Sequence, residues 1–345
     1  MSSRQKRVTN RDVARLAGVS TAVVSYVINN GPRSTSYEVR KRVLEAVKTL
    51  GYHPSALARG LRDQRSQTIG FVVNDYFPLA VFISAYSAGV LTGLIDQLKQ
   101  RRYYLLVYPI EIGEDLSSFE LLLHSGRLDG IVVRLVQDSP ASDRLLRIVA
   151  AAKIPCVCIE RSVAPRFPFP SVTTDDATGA EQAMQYLVSQ GHRRIGYIHG
   201  DLRYASAQTR LEIYKRVLSA NGLPLNERLI RGHSWTSADA AAAMRDLLSL
   251  NKPPTAVFAA SDELARSAIN VLREQGLRVP NDMAVVGFDD MPLARDMTPA
   301  LTTVRIPLLE MGRTAADLLL QQIDQPYAPG VSVVMQTELI RRGTA

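Results

Sequence analysis

The sequence predicts an all-α helix-turn-helix headpiece followed by a larger α/β region built on two doubly wound parallel sheets. Three observations carry this reading. The segment VTNRDVARLAGVSTAVVSYVINN (8–30) has helical periodicity broken by a Gly-Val-Ser turn. The basic excess of the chain is confined to its first 65 residues. From residue 68 onward, short apolar β-branched runs alternate with helical patterns. With 345 residues and 46% hydrophobic content, the chain is long enough to bury two or three domains.

In the headpiece, residues 1–53, Val13, Leu16, Ala17, Val24, Val27 and Ile28 fall at the spacings of a buried helical stripe. Gly18 is suited to the left-handed conformation that ends a first helix, and Ser20 to capping a second. Thr21, Ala22, Ser25, Tyr26 and Asn29 then share the polar face of that second helix, where a recognition helix presents side chains to base edges. A third helix follows, and then a basic, Ala-rich stretch. Residues 1–65 hold thirteen Lys and Arg against four Asp and Glu, a net +9; the other 280 hold 28 against 29. A surface that needs only solvation mixes both signs, so the asymmetry points to a polyanionic partner. Arg4, Lys6, Arg7, Arg33, Arg40, Lys41 and Arg59 are the phosphate-contacting candidates.

Residues 54–67 form a junction. Ser55 can cap a short helix running to Leu61 or Arg62, but about eight residues that include Gly60 are too few to hold a helix alone in water. The segment is therefore expected to fold only when docked.

Strands are predicted at Ile69–Val73, Tyr104–Val107, Gly130–Val133, Cys156–Ile159, Ile195–Ile198, Ala256–Ala259 and Met283–Gly287, most of them separated by helical patterns. Continuous apolar strands between helices indicate parallel sheets covered on both faces. Ligands of such sheets bind beyond the carboxyl ends of the strands. Glu160 follows CVCI, Asp262 follows AVFAA, Asp289 follows MAVVGF, and Arg210 opens a helical segment after IGYIHG. The two cysteines, Cys156 and Cys158, are strand neighbours on one face about 6.6 Å apart, a geometry of packed thiols more than of a disulfide.

The chain resembles the LacI/GalR family of bacterial transcription regulators. The resemblance rests on Val8-Thr9, Asp12-Val13-Ala14, Ala17-Gly18-Val19-Ser20, Val24-Ser25, Val27-Ile28-Asn29, Arg40, Val43, Leu50-Gly51-Tyr52, Pro54, Ala58-Arg59 and Leu61. It continues through PSVTTDDATGA (170–180), GHRRIGYI (191–198), TRLEIY (209–214), ASDELA (260–265), GLRVPNDMAVVGFDD (276–290) and ALTTVRIPLLEMG (300–312). It implies a periplasmic-binding-protein-like effector region at 68–345, with one subdomain near 68–161 and 302–323 and the other near 171–292 and 331–342. Crossovers are then expected near 161–171, 292–302 and 323–331. It implies that the hinge helix pairs with its dimer mate in the minor groove, with Leu61 as the wedge and Ala58 and Arg59 beside it. It also implies that Arg210 and Asp289 grip adjacent hydroxyls of a small ligand, a task that suits a forked donor and a double acceptor. Trp235, the only tryptophan, falls where the family often carries a stacking aromatic, and Glu160, Ser261 and Asp262 fall at the same strand ends.

Departures from the family pattern bear on which ligand is taken. Ser261 stands where Asn is common, Glu160 where Asp is, Ile213 where Gly is and Ile306 where Gln is, and NDYFPLAVF replaces an Asn-Pro-Phe-Phe stretch. The expected function is a ligand-responsive repressor that binds a pseudo-palindromic operator, with a sugar or related metabolite as effector and no cofactor or metal. The competing readings are a solute-binding protein and a sugar-processing α/β enzyme. The first does not account for the helix-turn-helix. The second lacks a catalytic constellation: there is no GxGxxG, Walker A loop, GxSxG or HExxH, and His53, His124, His192, His199 and His233 show no metal spacing. The start MSSRQKRVTN has no signal-peptide core and no 18-residue apolar run occurs, so a cytoplasmic protein without membrane contact is expected. After VSVVMQTEL the sequence IRRGTA has no leucine heptads, so a homodimer is expected rather than a tetramer.

Overall fold

The first helix, α1 (Asn10–Ala17), begins where the Asp12 carboxylate accepts hydrogen bonds from the backbone N–H and the hydroxyl of Thr9. It ends at Gly18 with φ +63, which places the Gly18 and Val19 N–H groups under the last carbonyls of the helix. Ser20 then caps α2 (Thr21–Ile28) by accepting from Val23 N–H, and Ser36 caps α3 (Tyr37–Leu50) by accepting from Val39 N–H. The three helices close on Val13, Ala14, Ala17, Val24, Val27, Val43 and Ala46. Leu16, expected in this core, is instead 53% exposed. Both partner helices meet α1 on its Val13, Ala14 and Ala17 side, where the small alanines permit close approach, and Leu16 is turned outward.

The computed structural model describes residues 8–28, 35–52, 65–74, 85–110, 115–135, 139–162, 166–325 and 330–345. The chain divides into two compact units, Met1–Ser66 and Gln67–Ala345.

The second unit starts with β1 (Thr68–Asn74), α4 (Ala85–Gln100), β2 (Tyr104–Ile110), α5 (Ser117–His124), β3 (Gly130–Leu135), α6 (Pro140–Ala152), β4 (Cys156–Ile159) and β5 (Ser171–Thr174). Then come α7 (Asp176–Ser189), β6 (Ile195–Ile198), α8 (Ala205–Ala220), β7 (Ile230–Arg231), α9 (Ser237–Leu248), β8 (Ala256–Ala259), α10 (Asp262–Glu274), β9 (Ala284–Val286) and α11 (Pro292–Asp296). The chain ends through β10 (Thr303–Arg305), α12 (Leu308–Asp324), β11 (Ser332–Met335) and β12 (Glu338–Ile340).

One lobe is a six-stranded parallel sheet in the order β11-β5-β4-β3-β1-β2; the other is a four-stranded parallel sheet in the order β7-β6-β8-β9. Alternation along β1 shows why the first sheet needs cover on both faces. Ile69, Phe71 and Val73 pack with Val90, Leu94 and Leu98 of α4, while Val72 packs with Phe119, Leu145 and Cys158 on the opposite side. Both cysteines are free and buried there, as packed thiols. Helices α4 and α12 meet at Gly93 and Gly312, where an added Cβ would lie 2.0 Å from the Leu309 carbonyl oxygen and 2.1 Å from that of Val90, so only glycine lets these backbones touch.

The crossovers fall later in the chain than the family resemblance implies. Residues 171–174, expected in the second lobe, pair with β4 of the first, and 332–335 pair with β5 of that same sheet. The chain therefore passes between lobes after Thr174, Arg305 and Met335, and the expected crossovers near 161–171, 292–302 and 323–331 are displaced. The signals SVTT and SVVM are short and half-polar, and only their hydrogen-bonded neighbours assign them to a sheet. β10 continues beyond β9 through bridges Val286 to Thr302 and Asp289 to Arg305, and pairs antiparallel with β12.

Candidate nucleic-acid interface and effector cleft

In the headpiece, Thr21 and Ala22 are exposed at the start of α2, with Ser25 and Tyr26 half-buried on the following turn. Asn10 ties the entry of this helix to α1 through its Nδ2, which donates to the Thr21 carbonyl at 3.3 Å. Arg40, Lys41 and Arg42 are exposed on α3, and the Arg42 guanidinium lies against the Gly18 turn. Arg42 carries no sequence signal beyond its charge. Asn29, Ala58, Arg59 and Leu61, and with them the hinge helix, lie outside the described residues, as do Arg4, Lys6, Arg7 and Arg33.

At the carboxyl ends of the strands in the second unit, the structure gathers Glu160 after β4, Asp176 at the start of α7, Arg210 on α8 and Asp289 after β9. Arg210 is 4% exposed. Its Nε and Nη2 donate to Asp176 Oδ1 at 2.8 and 2.6 Å, and its Nη1 donates to the Ala260 carbonyl. Nη1 also stands 3.9 Å from Asp289 Oδ1, beyond hydrogen-bond length. The guanidinium carbon rests 3.6 Å from the centre of the Phe288 ring. Burial works against the arginine's charge, but Asp176 and then Asp289 outweigh it and hold its pKa above the ordinary value. Burial pushes the Asp289 carboxyl well up; Arg210 opposes this, while Asp262, Asp176 and Glu160 add to it. Asp289 is also held at φ +116, a strained value for an aspartate, by Asp289 N–H to Val304 O and Ile306 N–H to Asp289 O.

Asp176 was not singled out from the sequence, although it is the principal partner of Arg210. The available signal was the Asp-Asp pair closing a strand and opening a helix. Asp175 caps α7 through Thr178 N–H, and this leaves Asp176, which also accepts from Thr174 Oγ1, to face Arg210. Arg134, at the end of β3, is a second omission. It is buried, donating from Nε to Glu160 at 2.8 Å and from Nη1 to Ser87 Oγ at 3.2 Å, with its guanidinium 5.4 Å from the Tyr86 ring centre. Tyr86 feels Glu160, Arg134, Asp176 and Asp289 together, so the groups of the two lobes form one electrostatic cluster. Burial first, and then Glu160, drives its phenol well above the usual value.

Ser261 and Asp262 lie next to this cluster and are engaged in bonds of the scaffold, Asp262 also acting electrostatically on Asp289. Ser261 is buried and caps α10 by accepting from Leu264 N–H. Asp262 is wholly buried: one oxygen accepts from Thr303 Oγ1 and the other from Met291 N–H at 2.7 Å. Burial raises its pKa to about 7 against the pull of those two donors. The first turn of a helix points inward here, so Asp262 braces the Asp289–Met291 turn from behind. The adjoining Asp290 is also buried and accepts from Arg295, Arg305 and Arg342; burial would raise its pKa, but these three bring it below the ordinary range.

Trp235 packs on the backbone of Gly200, just past β6, so closely that a Cβ there would lie 2.4 Å from the indole. Tyr204 meets the indole edge-on at 5.8 Å, and the buried Trp235 Nε1 has no hydrogen-bond partner among the described residues. Its turn is fixed by Asp239, which accepts from the backbone N–H groups of His233 and Ser234 and from His233 Nδ1. Among the described residues no group of three or more metal-ligating side chains occurs, and no helix is long and apolar enough to cross a membrane.

Residues 9–55 match the family described as bacterial regulatory proteins, lacI family, and residues 184–345 match a periplasmic binding protein-like domain. The chain is 32% identical to the transcriptional regulator GalR of Escherichia coli K12, over 97% of this chain and 94% of that protein. It is 35% identical to the regulator CelR of Thermobifida fusca, over 98% of both. Among solved structures, a CelR–cellobiose complex shares 33% identity with a TM-score of 0.74, covering 98% of this chain and 100% of that one. A lac repressor dimer bound to operator and the anti-inducer ONPF shares 26% identity with a TM-score of 0.85, covering 98% of this chain and 99% of that one.

Proposed function

The chain belongs to the LacI family of bacterial regulatory proteins, and we propose that the cluster around Arg210 is its effector site, through which a small molecule sets operator affinity. The protein is a sequence-specific DNA-binding transcriptional regulator of the repressor type, acting as a dimer on operator DNA and responding to a sugar or related metabolite. Its relatives are regulators rather than enzymes, and we assign it no turnover. We place it in the cytoplasm, associated with the nucleoid when bound to DNA.

One observation carries the effector assignment. The 3.9 Å separation of Arg210 Nη1 and Asp289 Oδ1 is too long for a hydrogen bond and right for one hydroxyl between them, about 2.8 Å from each, accepting from the arginine and donating to the carboxylate. Asp176 fixes the arginine so that it offers this edge. Trp235 supplies an aromatic surface, and Glu160 faces the junction from the first lobe. Thr21, Ala22, Ser25, Tyr26 and Asn29 read the major groove, and Ala58, Arg59 and Leu61 engage the minor groove.

Coupling between the sites is a reciprocal free energy: an effector that weakens operator binding itself binds less well to the operator complex. Selection from a random duplex pool should return a pseudo-palindrome. On that DNA, Arg210→Ala should abolish the response to whichever compound releases or tightens the wild type, with effector-free DNA affinity preserved. A normal response in this variant refutes the site assignment.

A further inference from the structure

The turn that carries Asp289 is braced from outside the cleft. Asp289 and Asp290 both hold positive φ, +116 and +56, although neither is glycine, and such a backbone keeps its shape only where its surroundings impose it. Bonds to Val304 and Ile306 fix the Asp289 backbone, and Asp262 accepts from Met291 N–H. A third hold is on the Asp290 carboxylate. Its side chain is 1% exposed and pairs with Arg295, Arg305 and Arg342.

These arginines are not equivalent. The side chains of Arg295 and Arg305 are 62% and 43% exposed, so water screens their pairs, whereas that of Arg342 is 15% exposed. Arg342 is also anchored beyond Asp290: Nη2 donates to Asp290 Oδ1, while Nη1 donates to the Leu301 carbonyl at 2.8 Å and the backbone N–H to Thr302 Oγ1 at 2.9 Å. The residues after it form a strap between Val285 of β9 and the 300–302 segment. Gly343 N–H donates to the Ala300 carbonyl; the buried Thr344 hydroxyl donates to Val285 O at 2.7 Å and accepts from Thr302 N–H at 2.9 Å; and Thr344 O accepts from Val285 N–H at 2.8 Å. Tyr186 of α7 donates to the Ala345 carbonyl. Val285 lies on the strand that runs into the Asp289 turn, so strap and turn are held in register.

Fine placement matters at Asp289. With 3.9 Å between Arg210 Nη1 and Asp289 Oδ1, a drift of the carboxylate by about 1 Å carries one of the two hydroxyl bonds beyond hydrogen-bond length. Resting on the reading of the Arg210 cluster as the effector site, we propose that Arg342, carried on this strap, is a positioning residue of that site: by holding Asp290 it keeps the Asp289 carboxylate opposite Arg210 and so sets effector affinity from outside the cleft.

Hydrogen exchange read by mass spectrometry on the full-length protein tests the brace without any ligand. Arg342→Gln should speed exchange at the Asp289 and Ile306 amides about ten-fold or more while leaving β8 at the wild-type rate. Arg342→Lys, which keeps the charge and loses the fork, should do so less, and Arg295→Gln, at the exposed arginine, by less than about two-fold. Asp290→Asn should reproduce the change, with nothing added by Arg342→Gln on top of it. Unchanged exchange at 289 and 306 overturns the proposal, and so does acceleration spread evenly over the lobe, which is the mark of lost stability alone. Calorimetry with a panel of pentoses, hexoses, disaccharides, nucleosides and their phosphate esters then reads affinity. A compound whose binding Arg210→Ala abolishes should bind Arg342→Gln at least about ten-fold more weakly than the wild type. If exchange accelerates and that compound binds Arg342→Gln as it binds the wild type, the brace exists but does not set affinity, and the proposal fails. If Arg210→Ala leaves every binding compound unaffected, or none binds the wild type, the site reading has failed and the claim on affinity falls with it, while the exchange result still decides whether Arg342 braces the turn.

Discussion

Removing the Arg210 guanidinium takes away three hydrogen bonds and the contact with Phe288, and it leaves Asp176 and Asp289 facing each other with no cation between them. Because the arginine is 4% exposed and both carboxylates are nearly as enclosed, water screens their repulsion poorly. Breaking a buried pair in this way typically costs about 3–5 kcal/mol, most of it the penalty of the carboxylate left behind. Arg210→Ala should lose stability on that scale by urea unfolding followed by circular dichroism. Asp176→Asn alone should also destabilise, but the double variant should lose much less than the two single losses together, with a coupling of about 2–3 kcal/mol. If the losses instead add to within about 0.5 kcal/mol, Asp176 does not hold Arg210 in solution. The hydroxyl-bridging geometry derived from their pairing would then be void.

The remaining expectations concern other layers of the molecule. Asp262 has a folded pKa near 7, above its unfolded value, so its contribution is fully present below about pH 4 and is lost as pH rises through 7; Asp262→Asn should remove that part of the pH dependence, and an identical wild-type and variant slope between pH 4 and 8 would refute the assignment. Tyr26→Ala should relax preference at one symmetric base pair, costing about 1–3 kcal/mol against the preferred operator, whereas an equal loss on all DNA would make Tyr26 a backbone contact. Asp239→Ala should loosen the 233–236 turn at a cost of about 1–3 kcal/mol and shift Trp235 emission to the red; unchanged emission would show that the indole is held by Gly200 and Tyr204 alone.

Most of the element inventory was legible in the chain because local rules set it. Gly18 ends α1 with positive φ, Ser20 caps α2, and CVCI, IGYI and AVFA are strands over the residues their β-branched and apolar character marked. Arg210 and Asp289 were legible as strand-end residues of a family pattern. Leu16 was misjudged because periodicity gives a face but not which partner helices approach it. SVTT joins the first sheet by pairing with β4, and SVVM joins it by pairing with SVTT across more than 150 residues of sequence, neighbours that no local signal encodes.

The same distinction separates the ionisable residues. Sequence determined that the basic charge belongs to the headpiece and that acids follow several strands. Only the tertiary structure decided that Asp262, one residue into its helix, points inward to brace a turn, while Asp176, equally one residue into its helix, points at Arg210. Both are first-turn aspartates in sequence. What parts them is the partner each meets, Arg210 for Asp176 and the Met291 N–H with the Thr303 hydroxyl for Asp262, and those partners are brought there from distant parts of the chain by the packing of the sheets.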